Sequence, residues 1–228
     1  PVLLDQQHKG HMPRLTEGRM LLAFTGWMDG GDVSTGTAKF LIGQLGAKRV
    51  GQISPEGFYI RNFPGTMEVS SLFRPHVKIE DGLITSLQSP RNEFFLNREA
   101  DLLVFVGAEP NLNWHEFADC ILRMAMQSGV KQMVFVGTFG GQTPHTRESP
   151  LFGAMSDPSL RPLLEEHGVQ LSTYQGPASF ATYLMTRARE ERLAMISLVA
   201  EIPGYLQGTN FPCIDAVTRR LASILGLK

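Results

Sequence analysis

Leu102-Leu103-Val104-Phe105-Val106 runs without a polar residue into Gly107-Ala108-Glu109-Pro110-Asn111. A short apolar run ending at once in turn chemistry reads as a strand buried on both faces, the kind found in parallel sheets covered by helices. The same rhythm occurs three more times. Met20-Leu21-Leu22-Ala23-Phe24 leads into Thr25-Gly26-Trp27-Met28-Asp29-Gly30-Gly31-Asp32, and Met133-Val134-Phe135-Val136 into Gly137-Thr138-Phe139-Gly140-Gly141. Met195-Ile196-Ser197-Leu198-Val199-Ala200 leads into Glu201-Ile202-Pro203-Gly204-Tyr205. Helical spacing separates these runs. Asp32 is read as the N-cap of a helix carrying Val33, Thr37, Phe40, Leu41 and Gln44 on one stripe until Gly46. Trp114, Phe117, Ile121 and Ala125 form a second stripe, ended by Gly129. Pro177 is placed in the first turn of a third helix, with Ala181, Leu184, Met185 and Ala188 as its buried face. Ile214, Val217, Leu221, Ile224 and Leu225 mark the last. Lys48 to Ser54 reads as a further strand. Alternation around Asp81-Gly82 predicts a β-hairpin within residues 69–88, placed at one edge of a mixed sheet. The fold class is therefore α/β: a three-layer α/β/α sandwich around a mostly parallel, mixed sheet.

The chain has 228 residues and a net charge of −1. That length suits one domain, residues 1–228, because single α/β domains reach about 250 residues. Charges are scattered singly, so no basic face points to nucleic acid. No apolar run approaches the roughly 20 residues needed to cross a bilayer, and Pro1 to Leu15 lacks the pattern of a signal peptide. Cys120 and Cys213 fall in separate helices without metal-ligand spacing. Two reduced structural cysteines and a cytoplasmic location are the expectation.

Taken in order, these turns resemble the proteasome assembly chaperone two family, which is grouped loosely with the ATP-grasp proteins. The matching pieces are Gly26-Trp27-Met28-Asp29-Gly30-Gly31, Arg74-Pro75-His76-Val77 with Asp81-Gly82, and Gly107-Ala108-Glu109-Pro110-Asn111 before Trp114. Pro144-His145-Thr146-Arg147, Tyr174-Gln175-Gly176-Pro177 and Ser197 to Tyr205 complete them. The resemblance implies a sandwich similar to the nucleoside phosphorylase and hydrolase-like fold, and a family whose best-understood members are not enzymes. Those members help proteasome α-subunits assemble, partly through a C-terminal hydrophobic-Tyr-X tail. This sequence ends Leu225-Gly226-Leu227-Lys228 without that tyrosine, so docking through such a tail is not expected. In this it is similar to bacterial-type members of uncharacterised function.

In doubly wound sheets ligands bind outside the strand carboxyl ends. The pocket candidates are accordingly Trp27, Asp29, Gly30, Glu109, Trp114, His145, Gln175 and Tyr205. The Gly26–Asp32 turn can cradle a polar group, or its glycines can simply permit a tight turn. Its two aspartates disfavour phosphate, and no Gly-Lys-Ser/Thr follows to make a P-loop. Trp27 reads equally as a pocket wall or a core residue. Glu109, after a buried strand, is either a desolvated acid or base or a carboxylate held by turn N–H groups. Asp29 and Glu109 face each other if their strands adjoin. Of the six histidines, His145 has the best context for proton transfer, in the polar loop from Gly140 to Arg147. Gln175 and Tyr205 read as rim elements. There is no Gly-x-Ser-x-Gly elbow, no His-Glu-x-x-His and no clear Cys-His pair. No cofactor and no metal are expected. The leading reading is a non-catalytic binding or assembly-chaperone-like protein, a homo-oligomer with a possible protein partner. The alternative is a small-molecule enzyme or sensor using the strand-end pocket.

Overall fold

The computed structural model describes residues 2–5 and 12–227. The sequence readings of residues 1–15 and of the terminal Lys228 fall partly outside these. The first half of the chain forms β1 (Val2–Leu4), β2 (Gly18–Thr25), α1 (Val33–Leu45), β3 (Lys48–Ile53), α2 (Met67–Ser71), β4 (Val77–Glu80), β5 (Leu83–Leu87) and β6 (Glu93–Asn97). The second half forms β7 (Leu102–Ala108), α3 (Trp114–Gln127), β8 (Val130–Gly141), β9 (Leu151–Met155), α4 (Arg161–Glu166), β10 (Gln170–Leu171), α5 (Phe180–Glu190), β11 (Ala194–Pro203) and α6 (Phe211–Leu225).

Among the described residues one nine-stranded sheet has the order β1-β3-β6-β7-β2-β8-β11-β9-β10. Its centre, β7-β2-β8-β11, is parallel and consists of the four apolar runs. Antiparallel pairing is confined to the flanks, through β1, β3 and β6 on one side and β9 on the other. The hairpin forms as expected, with Asp81 and Gly82 both at positive φ in a two-residue loop. It does not join the main sheet: β4 and β5 make a separate two-stranded ribbon, which corrects its expected place at the sheet edge.

Successive residues of the central strands enter opposite layers. Leu22, Phe24, Leu103 and Phe105 pack with Phe117, Ile121, Phe180 and Leu184 of α3 and α5. Leu21, Ala23, Val104 and Val134 pack with Val33 and Leu41 of α1 and Val217 and Leu221 of α6. Each buried Leu or Phe stabilises the fold by on the order of 1.5–3 kcal/mol. Two-sided coverage is why these strands carry no polar alternation. Helix boundaries follow their caps, with two shifts from expectation. The stripe of α1 centres on Val33, Thr37, Ala38 and Leu41, and the expected Phe40 and Gln44 are exposed. Phe40 lies one residue, about 100° of helical rotation, off that stripe. Helix α5 begins at Phe180, because Ser179 Oγ accepts from the Thr182 N–H at 3.2 Å. Pro177 therefore lies upstream of the cap rather than in the first turn. Cys120 and Cys213 are free and buried in α3 and α6.

Candidate functional site

Strands β2 and β7 are parallel neighbours with Thr25 beside Ala108, so the Gly26 turn and Glu109 emerge together. Gly26 has φ 136°, and a Cβ there would stand 3.0 Å from the Glu109 Cβ. A side chain is thus disfavoured by both backbone conformation and space. Asp29 closes this turn with its N–H, which donates to the Gly26 carbonyl at 3.2 Å. Its carboxylate accepts from the Thr35 N–H at 3.0 Å and the Thr35 hydroxyl at 2.8 Å. Asp29, not Asp32, therefore supplies the side-chain acceptor for the first turn of α1. Asp32 sits in the left-handed region with φ 53°, makes no capping bond, and accepts instead from the Thr209 hydroxyl at 2.6 Å. Burial pushes the Asp29 carboxyl above the usual carboxylate range, against the lowering effect of the Thr35 hydrogen bonds.

The turn is pinned from two sides. Thr138 at the end of β8 donates its N–H to the Met28 carbonyl at 2.8 Å and its hydroxyl to the Gly30 carbonyl at 3.0 Å. The Asn210 N–H donates to the Gly31 carbonyl at 2.8 Å, and Asn210 Oδ1 caps α6 through the Cys213 N–H at 3.1 Å. Gly31, with φ 64°, passes so close that a Cβ would meet the Asn210 Cβ at 2.8 Å.

Glu109 is a hub. Its Oε2 accepts from the Trp27 N–H at 3.3 Å and its Oε1 from the Phe180 N–H at 2.7 Å. It thereby ties β7 to the β2 turn and to the N-terminus of α5, where negative charge complements the helix dipole. The second of the two roles open to Glu109 in the sequence is the one observed. Asp29 and Glu109 share the strand ends, but each carboxylate is bonded to its own donors. Trp114 packs on Phe180 and Tyr183 with ring centroids 5.7 Å apart in each case, and donates its indole N–H to the Pro110 carbonyl at 2.7 Å. It is a packing residue. Gln175 lies exposed on the connection before α5, and the strand upstream of it ends at Leu171.

His145 and Tyr205 are brought together across 60 residues of sequence. The Tyr205 oxygen accepts from the His145 backbone N–H at 3.0 Å and lies 2.8 Å from His145 Nδ1. Three further polar residues hold this face and were missed from the sequence. Glu201 Oε1 accepts from the Gln142 and Thr143 N–H groups at 2.7 and 3.0 Å. Desolvation acts to raise its pKa, but these hydrogen bonds outweigh it and hold the carboxyl below its usual value. Buried Asn92 accepts from the Tyr59 hydroxyl at 2.8 Å and the Ala108 N–H at 3.1 Å. Desolvation pushes the Tyr59 phenol above its usual range, against the Asn92 hydrogen bond. Only the register of neighbouring strands reveals these pairings, so no local signal could have found them.

Little space remains beside Glu109. The cavity lined by Phe24, Met28, Glu109, Phe135, Ser179 and Ala181 measures about 10 Å³. That is close to the volume of a single water, against several hundred Å³ for a ligand pocket. A larger, shallow depression of about 580 Å³ lies elsewhere, beside α4 and α6, lined in part by Glu148, His167, Arg219 and Arg220. Its arginines are engaged: Arg219 pairs with Asp215 at 2.9 Å, and Arg220 donates to the His167 carbonyl. Among the described residues no group of three His, Cys, Asp or Glu side chains is placed to hold a metal, and no helix is long and apolar enough to cross a membrane. The aromatics exposed at the strand ends include Trp27 at 59%, Tyr205 at 60% and Phe139 at 42%, and this exposure decides against a core role for Trp27.

A family model described as the PAC2 family matches residues 23–228. The chain belongs to the PAC2 family. Among solved structures it is similar to a proteasome-assembly chaperone homologue from Mycobacterium tuberculosis, with 25% identity and a TM-score of 0.79 over 92% of this chain and 86% of that one. A PAC2 family protein from Streptomyces avermitilis gives 25% identity and a TM-score of 0.77 over 92% and 87%. An archaeal proteasome activator from Pyrococcus furiosus shares the fold at 17% identity, with a TM-score of 0.72 over 100% and 89%. No curated protein matched the sequence. PAC2 membership and these neighbours agree with the three-layer sandwich and with the order of turns that carried the resemblance.

Proposed function

We propose that this PAC2 family member is a non-catalytic, cytoplasmic, homo-oligomeric protein that binds other polypeptides in the manner of an assembly chaperone. The observation that carries the reading is that the strand-end carboxylates are already engaged. Asp29, Glu109 and Glu201 accept from backbone N–H groups, and the cavity beside Glu109 is about 10 Å³. A catalytic acid or base needs a free edge and a substrate within hydrogen-bond reach. Around these groups stand exposed Trp27 and Tyr205, and Trp and Tyr are among the residue types that dominate protein–protein hot spots. Similarity to a proteasome-assembly chaperone homologue supports proteasome components as the class of partner, and the family resemblance narrows these to the α-subunits.

Trp27 and Trp114 are the two tryptophans, so a Trp114→Phe background isolates Trp27 as a reporter. Titration with proteasome α-subunits from the same organism is expected to give a saturable blue shift of Trp27 emission, weakened at least tenfold by Tyr205→Ala. A flat titration, together with a nucleoside, amino acid or divalent metal that raises the melting point and loses its effect in Asp29→Asn, would establish the small-molecule alternative instead.

A further inference from the structure

The excursion between β3 and β6 has a face left exposed to solvent among the described residues. Among those residues ribbon β4–β5 pairs with itself and not with the main sheet. Its register sets Val77 opposite Leu87 and Ile79 opposite Ile84, with a shift between Lys78 and Ile79 that leaves Thr85 as the extra residue. Directly opposed residues share a face, and residues two apart on one strand do too. The shift therefore brings Val77, Ile79, Ile84 and Leu87 onto one side although Ile84 and Leu87 are three apart. Lys78, Glu80 and Ser86 occupy the other side together with Leu83, which stands opposite Glu80, and Lys78 and Glu80 pair there at 2.8 Å. The apolar side is exposed along its length, with Ile84 at 70% and Leu87 at 63%. A free two-stranded ribbon is marginal in water at best, and this one leaves its apolar side open to solvent. Met67 and Leu72, in and just after α2, are also exposed.

We infer that this ribbon face is the contact through which two copies of the chain associate, face to face about a two-fold axis. Three features select a second copy as the occupant. The apolar side carries no charge, and residues 60–90 balance Arg61, Arg74 and Lys78 against Glu68, Glu80 and Asp81. Two identical excursions therefore meet without net repulsion, whereas a nucleic acid or an anionic lipid surface would select a basic excess. The area fits a concentration-dependent contact: the four side chains of this face present roughly 400 Å² on each copy, in the small, transient class of interfaces. The shape is right as well, because an isologous contact needs a self-complementary patch, and a pleated row of Val, Ile and Leu packs against its own copy. This rests on the homo-oligomeric part of the proposed function and assigns its surface.

Sedimentation velocity of the wild-type chain and of Ile84→Lys, Ile84→Glu and Phe40→Lys, at matched micromolar concentrations, tests it. Phe40 is an exposed apolar residue on α1, outside the excursion, and its variant serves as the control. The wild type and Phe40→Lys are expected to associate alike. Each Ile84 variant is expected to weaken association at least tenfold with an unchanged melting temperature. An equimolar mixture of the Lys and Glu variants is expected to regain it, which no unfolding artefact would produce. An Ile84→Lys variant that associates like the wild type would overturn the ribbon contact and leave the homo-oligomer standing. A monomeric wild type would overturn both.

Discussion

The strand-end turns and the 77–87 ribbon are opposite solutions to the same physical constraint. At the strand ends the polar side chains hold backbone: Glu109 joins three elements, and Asp29 and Glu201 each secure a turn. On the ribbon Lys78 and Glu80 pair with each other on one side, and the apolar residues of the other side stay largely exposed to solvent. The region with the richer chemistry in the sequence is thus the more self-sufficient. The plainer hairpin is the one left incomplete. Polar residues at strand ends mark a ligand site only where their hydrogen-bonding capacity remains unused.

The comparison breaks most visibly at Glu109. Glu109→Ala leaves the Phe180 N–H without its acceptor at a part-buried helix start, where an unsatisfied donor costs about 1–3 kcal/mol, and frees the exposed Trp27 N–H to water. A loss of about 1–3 kcal/mol is expected, read as a fall in melting point of roughly 2–12 °C for a chain of this size. Gly31→Ala is next. It forces a side chain to φ 64° and against Asn210, and about 1–2 kcal/mol is expected in the same melting experiment. Glu109→Gln, which keeps one acceptor oxygen, should cost about 1 kcal/mol.

Acid sharpens the contrast between two carboxylates of the same face. Glu201 is held below its ordinary value of 4.5, so its stabilising contribution is present above pH 4.5 and is lost as pH falls through its lower, folded-state value. Asp29 is raised above 3.8, so its ionised form is the less favourable one, and stability is regained as pH falls through its folded-state value toward 3.8. Melting curves between neutral and acidic pH should therefore show a smaller acid loss in Glu201→Gln than in the wild type. Asp29→Asn should change stability by no more than about 0.5 kcal/mol at neutral pH, because the amide keeps an acceptor for the Thr35 N–H while removing a partly desolvated charge.

The central strands were legible because burial on both faces writes an unbroken apolar run, and the starts or ends of α3, α5 and α6 were legible to within a few residues. The flanks were not. β6 and β9 are short strands whose pairing depends on non-local register. The hairpin could be read from Asp81-Gly82, but local alternation says only that two strands pair, not whether a sheet receives them. Asp29 was missed as the acceptor for α1 because Asp32 occupies the usual capping position, and only the left-handed backbone at Asp32 turns its side chain away. His145 and Tyr205 were both candidates from the sequence, but their direct bond depends on the loop after β8 meeting the turn after β11. Glu201 was invisible as a loop anchor for the same reason.

Amide hydrogen exchange read at low and high protein concentration tests the two regions at once. The account predicts that the Trp27, Thr35 and Phe180 amides exchange slowly at every concentration, and that protection of residues 77–87 rises with concentration as copies associate. Fast exchange at the strand ends, or ribbon protection that does not depend on concentration, would contradict it.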